Sequence, residues 1–189
     1  MKDEIDNKQQ MTSYDKGYKW LHWLMAILVI LMFMAIFGFA QANTDAARIE
    51  MLMGHSSIGS LIFILFVIRF CKRFLFKSPR PKHNLTAVTN VSANVGHLAL
   101  YLLLFYVPIT GYLSAKTHEL PVYWFGQFNL ASMTAYDQAN FDMLRNLHEL
   151  GVQTLMIFVV VHIAAAIFHG VAKKDGVFSS MWPGRKSKV

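Results

Sequence analysis

The chain has 189 residues, of which 54% are hydrophobic and only 15% are charged. Soluble domains usually carry about 25% charged residues, so the composition predicts a membrane protein and argues against a soluble one. The net charge of +7 does not indicate nucleic-acid binding, because no basic stripe accompanies a recognition helix and basic loop residues also orient membrane helices.

Four apolar runs follow a polar N-terminal tail at residues 1–19. The first run, residues 20–40, has the length of about 20 residues that crosses a ~30 Å hydrocarbon core. Ala40-Gln41-Ala42 imitates a signal-peptide cleavage site, but the run is longer than an h-region of about 7–15 residues and follows a polar tail, so a retained helix is favoured. The three later runs cover residues 55–70, 95–113 and 150–171.

These runs predict an all-α membrane protein, a four-transmembrane-helix bundle. The bundle forms one domain at residues 20–172, with tails at 1–19 and 173–189. Pro108 and Gly111 are expected to kink or loosen the third helix, which neighbouring helices can tolerate.

The loop predicted at residues 114–146 is not very polar. Its Trp124, Phe125 and Phe128 predict that part of the loop lies on the membrane surface. The single cysteine, Cys71, excludes an internal disulfide and is assigned no role.

The Lys and Arg residues predict the orientation of the helices. Of these 18 residues, 15 lie in the two tails and in the segment between the second and third helices. The other side has only Arg48, Lys116 and Arg145. By the positive-inside rule, both termini are therefore expected to be cytoplasmic.

Six of the eight histidines lie in apolar runs or at their ends. Ionisable residues there are costly and usually functional. A hydrogen bond to a neighbouring helix would account for one such histidine, but haem accounts better for six, because neutral imidazole is a good iron ligand. The six are His22, His55, His97, His148, His162 and His169.

The spacing on the fourth helix indicates two sites. His148 and His162 are 14 residues apart, which is about 21 Å along a helix and within about 40° of one face. His55 matches His148 in depth. His22 lies near the opposite surface, and periodicity alone leaves three possible partners for it: His162, His169 and His97.

Zinc binding and a proton relay fit the histidines less well than haem does. Zinc prefers four clustered ligands, whereas these histidines lie at two depths, with Glu149 as the one acidic neighbour. A proton relay along the histidines is the second alternative to haem.

At these residues the chain resembles the bacterial cytochrome b561 family, over about residues 14–183. No single motif is specific, but their order and spacing together are. The matching segments are expected at the start of the first three helices, just before the fourth helix and within the fourth helix. They are Leu21-His22-Trp23, Gly54-His55-Ser56-Ser57-Ile58-Gly59, Gly96-His97-Leu98, Leu147-His148-Glu149, and Val161-His162-Ile163-Ala164-Ala165-Ala166 with His169.

The resemblance implies two haem b groups whose iron is ligated by histidine pairs. His22 and His162 would hold the inner haem, and His55 and His148 the outer one. His169 is then a polar group beside the inner haem and a candidate quinone contact. The resemblance also implies a multi-pass protein of the bacterial cytoplasmic (inner) membrane.

Some members of this family oxidise superoxide outside the membrane and pass the electrons to ubiquinone, whereas others carry electrons for partner enzymes. We therefore expect an oxidoreductase that oxidises superoxide to O2 on the outer side and reduces ubiquinone. The alternative is an electron-transfer cytochrome b subunit that serves a partner redox enzyme. The expected partners are membrane lipid, quinone and superoxide, and not nucleic acid.

Four basic residues complete the expected sites. Lys116 and Arg145 flank the outer end and are candidates for attracting superoxide, although two cations on a long loop are also ordinary. Arg69 and Lys19 are weaker candidates than His169 for contacting the quinone, because both also fit the positive charge of the inner side.

Overall fold

The computed structural model describes residues 13–76 and 80–184, and four long helices dominate them. Each helix is long and apolar enough to cross a membrane. This confirms the predicted all-α membrane bundle. The helices are α1 (Lys16–Gln41), α2 (Asp45–Phe74), α3 (Ala87–Lys116) and α4 (Gln138–Phe168).

Short elements lie at the two ends of the bundle. The α3–α4 connection contains an antiparallel hairpin, β1 (Tyr123–Trp124) and β2 (Phe128–Asn129), and a 3-10 turn (Leu130–Met133). A π-helical turn (His169–Lys173) and the short helix α5 (Val177–Ser180) follow α4.

Three helices begin two to three turns before their apolar runs. Thr44, Thr86 and Asp137 are the N-caps of α2, α3 and α4, and each side chain accepts a hydrogen bond from a backbone amide of the first turn. Capping satisfies the free amides of a helix start and does not require apolar residues, so the helices extend beyond the hydrocarbon region. The loop predicted at 114–146 is correspondingly shorter, since α3 ends at Lys116 and α4 starts at Gln138.

The sequence interpretation therefore placed three histidines wrongly relative to the helix ends. His55 and His97 were expected to open their helices, and His148 to precede the fourth. The structure places all three within helices, about three turns after the first residue.

The helices pack mainly as two antiparallel pairs, α1 on α2 and α3 on α4, and α2 also packs on α3. Among the described residues, α4 makes few close backbone contacts with α1 or α2. Large apolar side chains cover the outside of the bundle, such as Phe37 with 72% of its surface exposed and Ile157 with 63%. An apolar outer surface of this kind fits a lipid environment.

The two ends of the described chain meet at one end of the bundle, here called the terminal end. Ser13 Oγ donates to the Ser180 carbonyl (2.9 Å), and the Tyr14 amide donates to the same oxygen (3.2 Å). Trp23 Nε1 on α1 donates to the Met181 carbonyl (3.0 Å). The C-terminal segment therefore folds back onto α1, and α1 itself begins at Lys16, inside the predicted tail at 1–19.

The β-hairpin defines the opposite end, here called the hairpin end. Ser56 Oγ donates to the Tyr123 carbonyl (2.9 Å), and Ser57 Oγ accepts from the Phe125 amide (2.8 Å). Gly126 takes a positive φ of 69° in the turn between the strands, a conformation that favours glycine. These bonds hold the hairpin to α2 beside His55.

Helices α3 and α4 approach closely at Gly151. A Cβ at this position would lie 2.7 Å from Tyr106 Cε1 and 3.1 Å from Val107 Cγ2. Gly151→Ala should therefore destabilise the protein by about 1 kcal/mol or more, through overpacking, despite the better helix propensity of Ala. Thermal unfolding in detergent measures the effect.

Gly59→Ala is the matched control, because its Cβ would meet only the Met32 methyl at 3.8 Å. Equal melting temperatures for the two variants would contradict this description of the α3–α4 interface.

Candidate functional site

Two histidines face each other at the hairpin end. His55 is on α2 and His148 is on α4, and their ring centres are 6.0 Å apart with an interplanar angle of 77°. Both side chains are half-buried. The structure thus brings together the two histidines that were matched by depth in the sequence.

The hydrogen bonds of His148 determine which ring nitrogen is available. Its Nδ1 lies 3.0 Å from the Val107 carbonyl and 3.4 Å from Thr110 Oγ1. A carbonyl oxygen only accepts, so Nδ1 carries the hydrogen and donates it. The lone pair of Nε2 is left for a metal, which is the usual arrangement of a histidine ligand with an outer hydrogen-bond partner.

Two further features surround this pair. Gly111 of α3 lies directly against His148, because a Cβ there would be 2.9 Å from His148 Cε1. The glycine in α3 thus makes room for the imidazole. His55 Nδ1 is buried and has no hydrogen-bond partner in the described chain, although burying an unpaired polar atom is costly.

Three histidines meet nearer the terminal end. His162 of α4 has its ring centre 6.1 Å from that of His22 on α1 and 5.7 Å from that of His97 on α3. His169 lies elsewhere, with its ring against Phe168 and its Nδ1 bonded to Asp175. Periodicity allowed three partners for His22. Of these, the structure places the ring of His162 beside that of His22.

The geometry favours His22 over His97 as the partner of His162. The His22–His162 pair has an interplanar angle of 77°, as the His55–His148 pair has, whereas the His97–His162 angle is 67°. His22 is half-buried, but His97 is exposed. Two similar pairs therefore share α4, one near each end of the bundle.

The spacing of both pairs fits haem. An imidazole nitrogen binds a transition metal at about 2 Å, so two imidazoles on opposite sides of one iron have ring centres roughly 6 Å apart. Both pairs link α4 to a helix with which it makes few close backbone contacts. No group of three or more His, Cys, Asp or Glu in the described ranges could hold a bare metal ion, so these donors suit an iron that brings its own equatorial ligands.

Positive charge lies beside His22 and His162, the histidine pair nearer the terminal end (here called the inner histidines). The Arg69 guanidinium lies 4.3 Å from the centre of the Tyr18 ring, and its charge acts on the rings of His22 and His162. Lys19 is buried, with 1% of its surface exposed. Both residues are thus at the terminal end, as expected from the sequence.

A cavity of about 280 Å³ adjoins His169, and the described residues that line it include neither Arg69 nor Lys19. Its lining consists of His169, Gly170, Lys174, Gly176, Phe178 and Ser179. His169 Nδ1 lies 2.5 Å from Asp175 Oδ2. Burial raises the pKa of Asp175, but hydrogen bonds from His169 and from the Val177 amide outweigh this and hold the pKa of the carboxyl below its usual value.

Aromatic rings connect this cavity with the inner histidines. The His22 and Trp23 ring centres are 5.9 Å apart, those of Trp23 and Trp182 are 5.5 Å apart, and those of Trp182 and Phe178 are 5.6 Å apart. A ligand in the cavity would therefore be separated from the inner histidines by a few side chains in contact.

The cations predicted at the outer end differ in their surroundings. Arg145 Nε forms an ion pair with Glu149 Oε1 at 2.7 Å. Lys116 ends α3 and lies 5.8 Å from the centre of the Tyr112 ring. Burial lowers the pKa of His118 in the following loop, so its ring adds no charge there at neutral pH.

Sequence reasoning missed several residues around these sites. Asp175 is the one acidic residue after α4 in the sequence, and this isolation was the signal that could have found it. Trp182 and the Val107 carbonyl carried no comparable signal, because their roles depend on how separate segments pack.

The sequence of the chain is similar to those of known proteins. Residues 13–184 match the family model described as prokaryotic cytochrome b561. The chain is 32% identical to cytochrome b561 homolog 2 of Escherichia coli (strain K12) over 85% of this chain and 86% of that protein. It is 29% identical to the probable superoxide oxidase CybB of Yersinia pestis, over 88% of this chain and 93% of that protein.

The inner assignment has a direct test in paired substitutions. His22→Ala and His162→Ala should each reduce the haem bound per chain, because each removes one of the two side chains that would hold the iron, whereas His97→Ala should not. The measurement is the haem b content of the purified variants, from the absorbance after extraction into alkaline pyridine. Haem loss in His97→Ala with full retention in His22→Ala would reverse the assignment.

Proposed function

Because the chain belongs to the prokaryotic cytochrome b561 family, whose multi-pass bacterial membrane proteins transfer electrons through haem b, we propose that it carries electrons from superoxide to ubiquinone. Superoxide reacts at the hairpin end, on the outer side of the cytoplasmic (inner) membrane. Ubiquinone is reduced at the terminal end, on the cytoplasmic side. The observation that carries the proposal is the pair of similar histidine sites on one helix, one near each end of the bundle.

In this proposal four histidines hold two haem b groups. His55 and His148 bind one, and His22 and His162 bind the other. When bound, haem b supplies reversible one-electron chemistry. The Val107 carbonyl orients His148 through Nδ1, and the surrounding apolar side chains keep water away from the ligands.

The overall reaction balances without a further reactant. Two superoxide anions each lose one electron and become two molecules of O2. One ubiquinone takes up both electrons and two protons and becomes ubiquinol. The electrons cross the bundle, and the protons come from the aqueous phase at the terminal end.

Lys116 and Arg145 are the proposed contacts for superoxide. A cation near the entrance raises the local concentration of an anionic substrate and its rate of association. Glu149 is paired with Arg145 and offsets part of its charge, so Lys116 is the stronger of the two. The similarity to a relative named probable superoxide oxidase supports the choice of substrate.

His169 is the proposed quinone contact. It lines a cavity at the terminal end, and aromatic side chains connect that cavity with His22. With Nδ1 bonded to Asp175, Nε2 remains for a quinone carbonyl. Arg69 and Lys19 supply positive charge nearer the inner histidines, where they would favour anionic groups of a bound cofactor or quinone.

A second candidate function is an electron-transfer subunit for a partner redox enzyme. The hairpin end favours this candidate, because Phe125 and Phe128 expose 52% and 64% of their surface there. The same aromatic residues would also suit the predicted position on the membrane surface.

Stopped-flow mixing of superoxide with the oxidised, haem-loaded protein separates the two functions. Rapid haem reduction by superoxide, followed by reoxidation when ubiquinone is present, is expected if the chain has its own substrate. Lys116→Gln should slow the reduction, and should do so most at low ionic strength. Haem that superoxide leaves oxidised would reject the proposal in favour of the subunit.

His169→Ala tests the quinone site in the same experiment. Both haems and their reduction by superoxide should persist, because His169 lies outside the two histidine pairs. Reoxidation by ubiquinone should slow by roughly 10²–10⁴, as is typical when one proton-transfer group is lost. His118→Ala, in the loop that follows α3, is the control histidine, and unchanged reoxidation in His169→Ala would place the quinone elsewhere.

A further inference from the structure

The His169 side chain has a fixed acidic partner. His169 Nδ1 and Asp175 Oδ2 are 2.5 Å apart, and the side chains are only 15% and 20% exposed. The second carboxylate oxygen of Asp175 accepts from the Val177 amide at 3.2 Å. Both oxygens are thus engaged, and the carboxylate cannot turn away from the imidazole without losing a bond.

The backbone around Asp175 is shaped to hold this pair. Lys174 and Gly176, on either side of it, both have left-handed φ values, 51° and 86°. A non-glycine residue in this region is uncommon and carries a conformational cost. The π-helical turn at His169–Lys173 is also a rare structure that occurs often at functional sites. Two unusual local conformations, the π-helical turn and the left-handed Lys174, together with Gly176, therefore bring Asp175 back to His169.

We propose that Asp175 is a positioning residue for His169, and that the Asp175–His169 pair is the proton donor of the quinone site. The inference rests on the proposed reduction of ubiquinone at the cavity beside His169. Asp175 accepts the Nδ1 hydrogen, which points Nε2 to the ligand.

The proton step is balanced as follows. When ubiquinone has received its electrons, the Nε2–H bond of His169 breaks and an O–H bond forms at a quinone carbonyl oxygen. The imidazole then takes a proton from water at the terminal end. Asp175 stays ionised throughout and is neither oxidised nor reduced.

Among the described residues, basic groups surround the pair. Lys174 lines the cavity, the Lys173 ammonium lies 5.9 Å from the centre of the Phe168 ring, and His83 lies close enough to act on Asp175. Helix α5, which packs against the π-helical turn, contributes no ionisable side chain. Asp175 is thus an acidic residue in basic surroundings, in contact with His169.

Asp175→Asn tests the inference because Asn keeps the size of the side chain and the oxygen that accepts from Val177. Reoxidation of the reduced, haem-loaded protein by a short-chain ubiquinone is followed from about pH 6 to about pH 9, across the range in which histidine titrates. In Asp175→Asn the rate should be ~10–100-fold below wild type at the alkaline end, because proton supply to the quinone limits the reaction most where free protons are scarce.

Asp15→Asn is the matched control. Asp15 is also at the terminal end, forms an ion pair with Lys72 (3.5 Å) and caps α1, and Asn is an equally good N-cap. This variant should keep the wild-type pH profile. Asp175→Glu should restore part of the alkaline rate, and Asp175→Asn should add no further loss in a His169→Ala background, because the two residues act as one unit.

A second measurement does not depend on turnover. Trp182 contacts the lining residue Phe178, and Trp23 contacts Trp182, so a quinone bound in the cavity should quench tryptophan fluorescence of the oxidised protein. Asp175→Asn should bind the short-chain ubiquinone with nearly the wild-type affinity, since its effect is on proton transfer.

The outcomes distinguish the inference from the function on which it rests. If quinone does not reoxidise the wild-type protein, the proposed function and this inference both fall. If quinone reoxidises wild type and Asp175→Asn has the wild-type pH profile, the inference alone is wrong. Loss of haem from both Asp175→Asn and Asp175→Glu would also overturn it, since Asp175 would then be structural.

Discussion

The arrangement of this bundle depends on the cost of placing imidazole rings inside a membrane. A buried polar group needs a partner, and in a hydrocarbon environment water cannot supply one. His148 meets this requirement on one side through the Val107 carbonyl, which leaves its second nitrogen to a metal. His55 Nδ1 is buried and has no hydrogen-bond partner among the described residues. The described protein groups therefore do not provide a hydrogen bond to every ring nitrogen.

Helix α4 contributes to both histidine sites. It carries one histidine of each pair, 14 residues apart, and faces α1 at one level and α2 at the other. Its own close packing is with α3, and this is where Gly111 and Gly151 allow the approach. Besides the packing of α2 on α3, the two helix pairs are thus joined across the bundle by histidines of α4, as expected where a cofactor is held between helices.

Much of this arrangement was accessible from the sequence. The apolar runs predicted four membrane helices, and the spacing of His148 and His162 predicted two sites on one helix. Periodicity left the partner of His22 open, because helix tilt and packing decide which rings meet, and only the family resemblance indicated His162. Helix starts were also missed, since capping residues such as Thr44 and Asp137 extend a helix without apolar residues. The isolated position of Asp175 could have drawn attention to it, but its contact with His169 depends on a rare backbone path after α4 that the sequence does not predict.

The proposed electron path through the bundle requires that each histidine pair holds one haem b. Haem content per chain tests this most directly, with the haem extracted into alkaline pyridine and the protein quantified by amino-acid analysis. The paired arrangement predicts two haem b groups per chain in the fully loaded protein. One haem per chain, or none, would contradict it.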